Sequence, residues 1–326
     1  MKKYLVLLLP LAGVSAVLFA PDDAVSAGAD ALDFCIKTII PSLLPFLVFS
    51  SIAISSGFAE ICARLFGRIM EPLFGVPGEC ATAFVLGLIS GFPIGAKTTS
   101  ELYKNGKCTR SQAETLLTFC NGASPAFVIG TVGGILLNDV KTGALIFIAQ
   151  TSALILTGIL FGRLKASKTT RESTELISNT KASFLTSVVS AVTSSALTIL
   201  YICAFIVFFA VISEMLIHYG IIPSIATASA RLLGKVGIYQ NDIESLLYGA
   251  IEFSMGVRNT ASTQTGVKQV MIISAILGWS GISVHCQVAS AVASQELSLK
   301  KYICGKAVCS IFSAIITYAL YISVYR

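Results

Sequence analysis

The stretch LISGFPIGAK, residues Leu88 to Lys97, lies inside an apolar run yet holds two glycines, a proline and a lysine. A plain membrane helix calls for none of these. Proline removes a backbone donor and clashes with the preceding turn, and an interior glycine costs a helix about 1 kcal/mol. The stretch predicts a chain reversal within apolar surroundings. The amides and carbonyls freed there need partners, so such a turn survives only against protein or a water-filled cavity.

The rest of the chain sets where that reversal lies. Of 326 residues, 55% are hydrophobic and 12% charged, with a mean hydropathy of +0.82. Soluble domains carry about 25% charged residues, so this is an integral membrane protein. The net charge of +6 is concentrated in short loops between apolar runs. That is the positive-inside pattern of a membrane protein and not a nucleic-acid surface. The nine cysteines fall mostly within apolar segments, with no CxxC or Cys/His spacing, and read as small hydrophobes. The sequence contains no Walker loop, HExxH or GxSxG, and its only histidines are His218 and His285. The reading is therefore not an enzyme, with no metal site and no cofactor, and Na⁺ or H⁺ as candidate coupling ions.

Apolar segments fall near 4–20, 31–57, 80–103, 109–137, 141–163, 184–218, 243–265, 268–295 and 300–325. Residues 1–20 resemble a signal peptide, but Pro21 disfavours cleavage after Ala20. The segment is read as an uncleaved first helix followed by a short outside loop to residue 30. The mixed stretches 60–76 and 221–236 suit amphipathic helices lying in the membrane interface. The polar stretch 165–182 is a linker between two halves, 31–164 and 184–326.

The halves match at an offset of about 160 residues. LFGVP at 73–77 answers KVGIY at 235–239, and Gly87 answers Gly249. With one residue of slip, Gly95 and Lys97 answer Gly256 and Arg258. CNGASPAFVIG at 120–130 answers GWSGISVHCQV at 278–288. A duplicated membrane unit with paired interruptions is the signature of a secondary transporter.

Loop charges choose how the segments lie. If all nine cross, Lys and Arg show no bias between the two sides. If 80–103 and 243–265 each enter and leave on one side, fourteen basic residues become cytoplasmic (Lys2, Lys3, Arg64, Arg68, Lys104, Lys107, Arg110, Arg163, Lys165, Lys168, Arg171, Lys181, Lys300 and Lys301). Five lie outside (Lys141, Arg231, Lys235, Lys268 and Arg326). The bias favours this arrangement. It gives seven crossings, with the N-terminus cytoplasmic and the C-terminus outside. The fold class expected is an all-α polytopic membrane protein, an inverted-repeat transporter fold with two re-entrant helical hairpins and two broken helices. Arms of about ten residues span ~15 Å, half of a ~30 Å hydrocarbon core. Ser90, Gly91, Phe92, Pro93 and Gly95 then form one hairpin tip.

This order of elements resembles the core of the concentrative nucleoside transporters. SGFPIGAK, CNGASP and GISVHCQVAS are similar to motifs of the nucleoside-recognition (Gate) membrane proteins. Within those they resemble the sporulation integral membrane protein family of the YlbJ/SpoVV type, over roughly residues 31–326. The resemblance implies a role in endospore formation, moving dipicolinate from mother cell to forespore, in the outer forespore membrane or the cell membrane. A Na⁺- or H⁺-coupled nucleoside transporter and a non-transporting sporulation scaffold are the alternatives.

The candidate substrate site follows from the interruptions. Lys97 and Arg258 occupy matching places past the two tips and are expected to be buried, clamping a small dianion between them. Arg258 would bind bidentately and Lys97 as a point charge. Internal pairing, Lys97 with Glu101 and Arg258 with Glu252, is the competing expectation. Asn121 and Ser124 (with Pro125) mark one helix break; Ser280, Ser283, His285 and Gln287 mark the other. Ser254 and Asn259 flank Glu252 and Arg258. Phe92 and Trp279 are candidates to stack on an aromatic solute, and His285 to take a proton during transport or, the favoured role, to donate a hydrogen bond. The expected partners are a small anionic substrate and membrane lipid, with no nucleic acid; a homo-oligomer is compatible with the sequence.

Overall fold

The structure is a computed structural model that describes residues 2–53, 56–57, 59–163 and 184–325. The linker at 165–182 lies outside the described residues. Among those, every regular element is helical.

The N-terminal region differs from expectation. Residues 21–30 are helix rather than an outside loop, part of one helix that runs Pro21–Ala53 with a π turn at Cys35–Ile39. Pro21 takes the first helical position and Asp22 and Asp23 the first turn. Proline's fixed φ and the carboxylates' attraction to the helix dipole both favour a start there. The preceding helix, Lys2–Phe19, contains Pro10. It is tied down where the Tyr219 hydroxyl donates to the Ala16 carbonyl at 3.0 Å. Nearby His218 Nδ1 lies 2.7 Å from the Asp23 carboxylate.

Among the described residues, five helices are long and apolar enough to cross a membrane: Pro21–Ala53, Val140–Arg163, Leu185–His218, Gly266–Gln295 and Lys300–Tyr325. Two shorter helices, Ala59–Phe74 and Ile221–Leu233, are amphipathic. Ile61, Leu65 and Ile69 of the first point outward while Met70 and Phe74 are buried. Its stretch Arg64–Phe74 turns through 110° into the segment Gly78–Ser90.

Each half then contains a helical hairpin. Ala81–Ser90 and Ile94–Lys104 are separated only by Gly91, Phe92 and Pro93. Gln240–Ile251 and Phe253–Thr263 are separated only by Glu252. In both, glycines let the arms touch backbone to backbone. A Cβ on Gly87 would meet the Gly95 Cα at 3.0 Å, and one on Gly256 would meet the Gly249 Cα at 2.2 Å. These are the glycines that the two halves of the sequence align with each other. Gly87 and Gly95 also pack on the Cys120 carbonyl, which would lie 1.9 Å from a Cβ at Gly95. Gly95→Ala therefore forces the hairpin off the broken helix. It should cost about 1–3 kcal/mol and lower the thermal midpoint in detergent. Gly130→Ala, where a Cβ meets nothing within 4 Å, should leave the midpoint unchanged or raise it, since alanine is the better helix former.

The hairpins open at opposite ends of the bundle. After the first hairpin, Arg110 donates to the Glu296 carbonyl, the Ser298 amide donates to Glu114 at 3.2 Å, and Lys301 reaches Ser111. That end also carries the start of Lys300–Tyr325. The far end of this helix holds Tyr325, whose hydroxyl donates to Asp139 at 2.6 Å. The second hairpin opens where Lys268, near the start of Gly266–Trp279, pairs with Asp242 at 2.9 Å and donates to the Gly237 carbonyl. From there the helix pair 266–295 runs back to Glu296 at the first end.

Two broken helices complete the layout. Thr109 and Gln112 form a reciprocal N-terminal cap on Arg110–Leu116. The chain then leaves the helix and resumes as Ala126–Leu136. In the second half Gly266–Trp279 and Gly281–Val292 meet at Ser280, whose φ of 81° breaks the helix. The second arm of each hairpin packs on the resumed helix of the other half: 94–104 on 281–292, and 253–263 on 126–136.

Candidate functional site

The two hairpin tips meet. Phe92 and Phe253 stand edge to face at 5.6 Å between ring centroids, and Phe127 lies 5.3 Å from Phe253. Each tip also rests on the break of its own half. Gly91, at φ 77°, sits against Ser124, where a Cβ would lie 3.0 Å from the Ser124 nitrogen. In the second half the close approach comes from the break: a Cβ on Gly281 would lie 3.0 Å from the Phe253 nitrogen.

A cavity of about 40 Å³ opens at this junction, room for roughly three waters at about 10–15 Å³ each. Its lining draws on every interrupted element: Ser90, Gly91 and Phe92 from the first tip, Ala123, Ser124 and Phe127 from the first break, Phe253 from the second tip, and Val284 and Gln287 past the second break. Leu43, Leu47 and Ile202 close it on the side of the long helices. The Ser90 hydroxyl and the Gln287 side-chain amide hydrogen-bond to no other described residue. Ser124 Oγ accepts the Phe127 amide at 3.3 Å and keeps its proton free. The cavity thus offers three aromatic rings and three polar side chains. Its lining carries no charged side chain.

Helices also begin around it. Ile94, Ala126, Phe253 and Gly281 are the first residues of four helices, and these starts cluster about the touching tips and breaks. Such N-termini present amides and partial positive charge, each equivalent to about half an elementary charge in a long helix.

Other expected site residues hold the junction together instead of lining it. Asn121 is fully buried; its Oδ1 accepts the Ala96 amide at 2.9 Å and its Nδ2 donates to the Leu117 carbonyl. Glu252 is fully buried and caps the helix Phe253–Thr263. It accepts the Met255 amide and the Ser254 hydroxyl, both at 2.7 Å, and the Ser283 hydroxyl at 3.4 Å across to the second break. Ser280 is buried with its hydroxyl turned back to the Leu277 carbonyl. His285 accepts or donates at Nδ1 with the Tyr302 hydroxyl at 3.0 Å. Its Nε2 is buried and has no partner among the described residues. Trp279 packs on His285 and donates to the Ala250 carbonyl, so it braces the second hairpin and is not among the cavity residues.

The expected cation clamp does not form in this structure. Lys97 is exposed rather than buried. It shares an outer stripe with Glu101 and Lys104, while Ala96, Thr99 and Ser100 face inward, as the 3.6-residue period dictates. Arg258 is half-buried, with its guanidinium 5.3 Å from the Phe34 ring centroid, and Asn259 beside it is half-buried too. Neither lysine nor arginine lines the cavity. The competing pairs, Lys97 with Glu101 and Arg258 with Glu252, are also not made among the described ion pairs.

Among the described residues the buried cation is Lys306, which the sequence reading passes over. It is 1% exposed; its Nζ donates to the Asn121 carbonyl at 2.9 Å and lies 5.5 Å from the Phe92 ring centroid. A signal was present. Tyr302, Gly305, Lys306, Cys309, Ser313 and Thr317 form the buried stripe of their helix, against Ile303, Ile311 and Ile315 outside. Small and polar residues facing inward and large apolar ones facing outward mark the lipid side of a membrane helix. Gln150, buried in Val140–Arg163, is a second omission: its Nε2 donates to the Ala123 carbonyl at 3.1 Å.

Comparison with known proteins agrees with this architecture. The chain is 28% identical to the sporulation integral membrane protein YlbJ of Bacillus subtilis (strain 168), over 95% of this chain and 81% of that protein. Its fold matches CNTnw in an inward-facing substrate-bound state with a TM-score of 0.61 at 10% identity, over 96% of this chain and 86% of that one. An outward-facing CNTnw variant matches with a TM-score of 0.60 at 12% identity, over 97% and 87%. The near-equal scores establish the concentrative nucleoside transporter fold without choosing a state. The family model described as nucleoside recognition, Gate, matches residues 36–204, just over half of the chain. This membrane protein belongs to the nucleoside-recognition Gate family.

Proposed function

We propose that the protein is a secondary transporter for a small aromatic anion, with dipicolinate as the first candidate. The observation that carries this reading is the cavity where both hairpin tips meet both helix breaks. Three rings there suit an aromatic solute, and uncommitted polar groups on Ser90, Ser124 and Gln287 suit its oxygens. The helix N-termini at Ile94, Ala126 and Gly281 favour carboxylates without a formal charge in the wall, while the fourth, at Phe253, is already capped by Glu252. Likeness to a sporulation membrane protein adds the physiological setting. A nucleoside is the second reading, favoured by the absence of a charged side chain in the lining.

The cavity is too small for either solute, so binding requires Phe92 and Phe253 to separate. On this reading the hairpins are re-entrant and the halves form an inverted repeat. The chain crosses seven times, with the N-terminus cytoplasmic and the C-terminus outside. Cysteines placed at positions 107 and 141 of a cysteine-free chain should then label from opposite sides of the membrane; labelling from one side would contradict the topology.

Purified protein in liposomes tests the transport reading directly. Dipicolinate should accumulate and uridine should not. Uridine uptake alone would install the second reading. Uptake of neither, by protein that is folded and correctly oriented, would remove both.

A further inference from the structure

We infer that Lys306 is a tethered replacement for a coupling metal ion, and that the transporter works without Na⁺. The inference rests on the transport reading above and concerns how its first helix break is neutralised.

Where a membrane helix breaks, its last carbonyls lose their amide partners and carry the negative end of the helix dipole. In transporters such unwound carbonyls commonly coordinate Na⁺. Here three carbonyls of the break are taken by side chains. The Leu117 carbonyl accepts from Asn121 Nδ2, the Asn121 carbonyl from Lys306 Nζ, and the Ala123 carbonyl from Gln150 Nε2. The Cys120 carbonyl is sealed between Gly87 and Gly95.

The ammonium is placed there by backbone packing. Gly305 brings its helix so close to the break that a Cβ would lie 2.7 Å from Thr118 Cβ, and the next residue is Lys306. No described carboxylate pairs with the ammonium. In its charged form it is compensated by the Asn121 carbonyl and the face of Phe92, groups that stabilise a desolvated cation without neutralising it. A cation of fixed stoichiometry, attached to the chain, occupies the place an exchangeable one would take. It lies behind Phe92, outside the cavity lining, so it bears on the tip and leaves the substrate's space free.

The test needs no substrate in its first arm. Thermal unfolding of the purified protein is compared in NaCl and choline chloride at equal ionic strength. The wild type should show the same midpoint in both. Lys306→Ser, which opens space and supplies an oxygen, should be destabilised in choline and partly restored by Na⁺. A wild-type midpoint raised by Na⁺ would overturn the inference, as would a Lys306→Ser protein of wild-type stability in choline. If Lys306→Ser does not fold, the wild-type comparison alone decides. In the second arm, uptake of the transported solute should be equal with Na⁺ and choline outside. Na⁺-driven uptake would overturn the inference while upholding transport, and absent uptake would count against the transport reading without touching the unfolding result.

Discussion

Glu252→Ala should lower stability by about 2–4 kcal/mol and abolish uptake. The carboxylate is the whole turn of the second hairpin: one residue in extended conformation between two helices. Its two 2.7 Å bonds, to the Met255 amide and Ser254 hydroxyl, are of the kind worth about 1.5–3 kcal/mol each when one partner is charged. Alanine would strand both donors and remove the N-terminal cap. Relief of the cost of burying a carboxylate opposes this loss and keeps the net below the sum. The third bond, to Ser283 at 3.4 Å, is long and contributes little, yet it links the tip to the break. Glu252→Gln separates the roles. It retains one acceptor for the Met255 amide, so the midpoint should recover most of the loss, while the geometry of the tip changes with the charge. Unfolding midpoints and uptake measured together check this. Wild-type stability in Glu252→Ala would mean that the tip is held by the packing of Phe253 on Phe92 and Phe127 instead.

The reach of the sequence had a physical limit, visible at particular residues. Interruptions are local and legible. Gly91 and Pro93 cannot continue a helix, and the aligned glycines at 87 and 95, 249 and 256, become the contact points of the two hairpins. The amphipathic stretches likewise became the helices Ala59–Phe74 and Ile221–Leu233. Side-chain direction is another matter. Lys97 stands four residues past Pro93, close in sequence to the tip, but the helical period carries it to the outer face. Lys306, more than two hundred residues from that tip in sequence, meets it in space. Reading charge by proximity to a motif selects an exposed lysine for burial; reading the face of each apolar helix selects the buried one. The helix at 21–30 was missed for a related reason. Asp22 and Asp23 occupy the first turn behind Pro21, where helices accept acid, so polarity there marks a helix start and not a loop.

That correction sets the last prediction. Gln287→Leu and Ser90→Ala should each reduce binding of the transported anion about ten- to a hundredfold, since a hydrogen bond to a charged group is worth ~1.5–3 kcal/mol. Stability should hardly move, because neither side chain bonds to another described residue. This contrast separates a ligand group from a brace: Asn121→Ala, which strands the Ala96 amide, should lose stability as well as binding. Lys97→Ala, on the exposed stripe, should stay within about 0.5 kcal/mol of the wild type and transport normally. Arg258→Ala should lose only the contact with Phe34, about 0.5–1 kcal/mol. Uptake, binding and unfolding of the five variants would be read side by side. Loss of binding in Lys97→Ala with full binding in Gln287→Leu would move the substrate from the junction of the tips to the outer face of the first hairpin, and the cavity would then be a seam of packing between two moving parts.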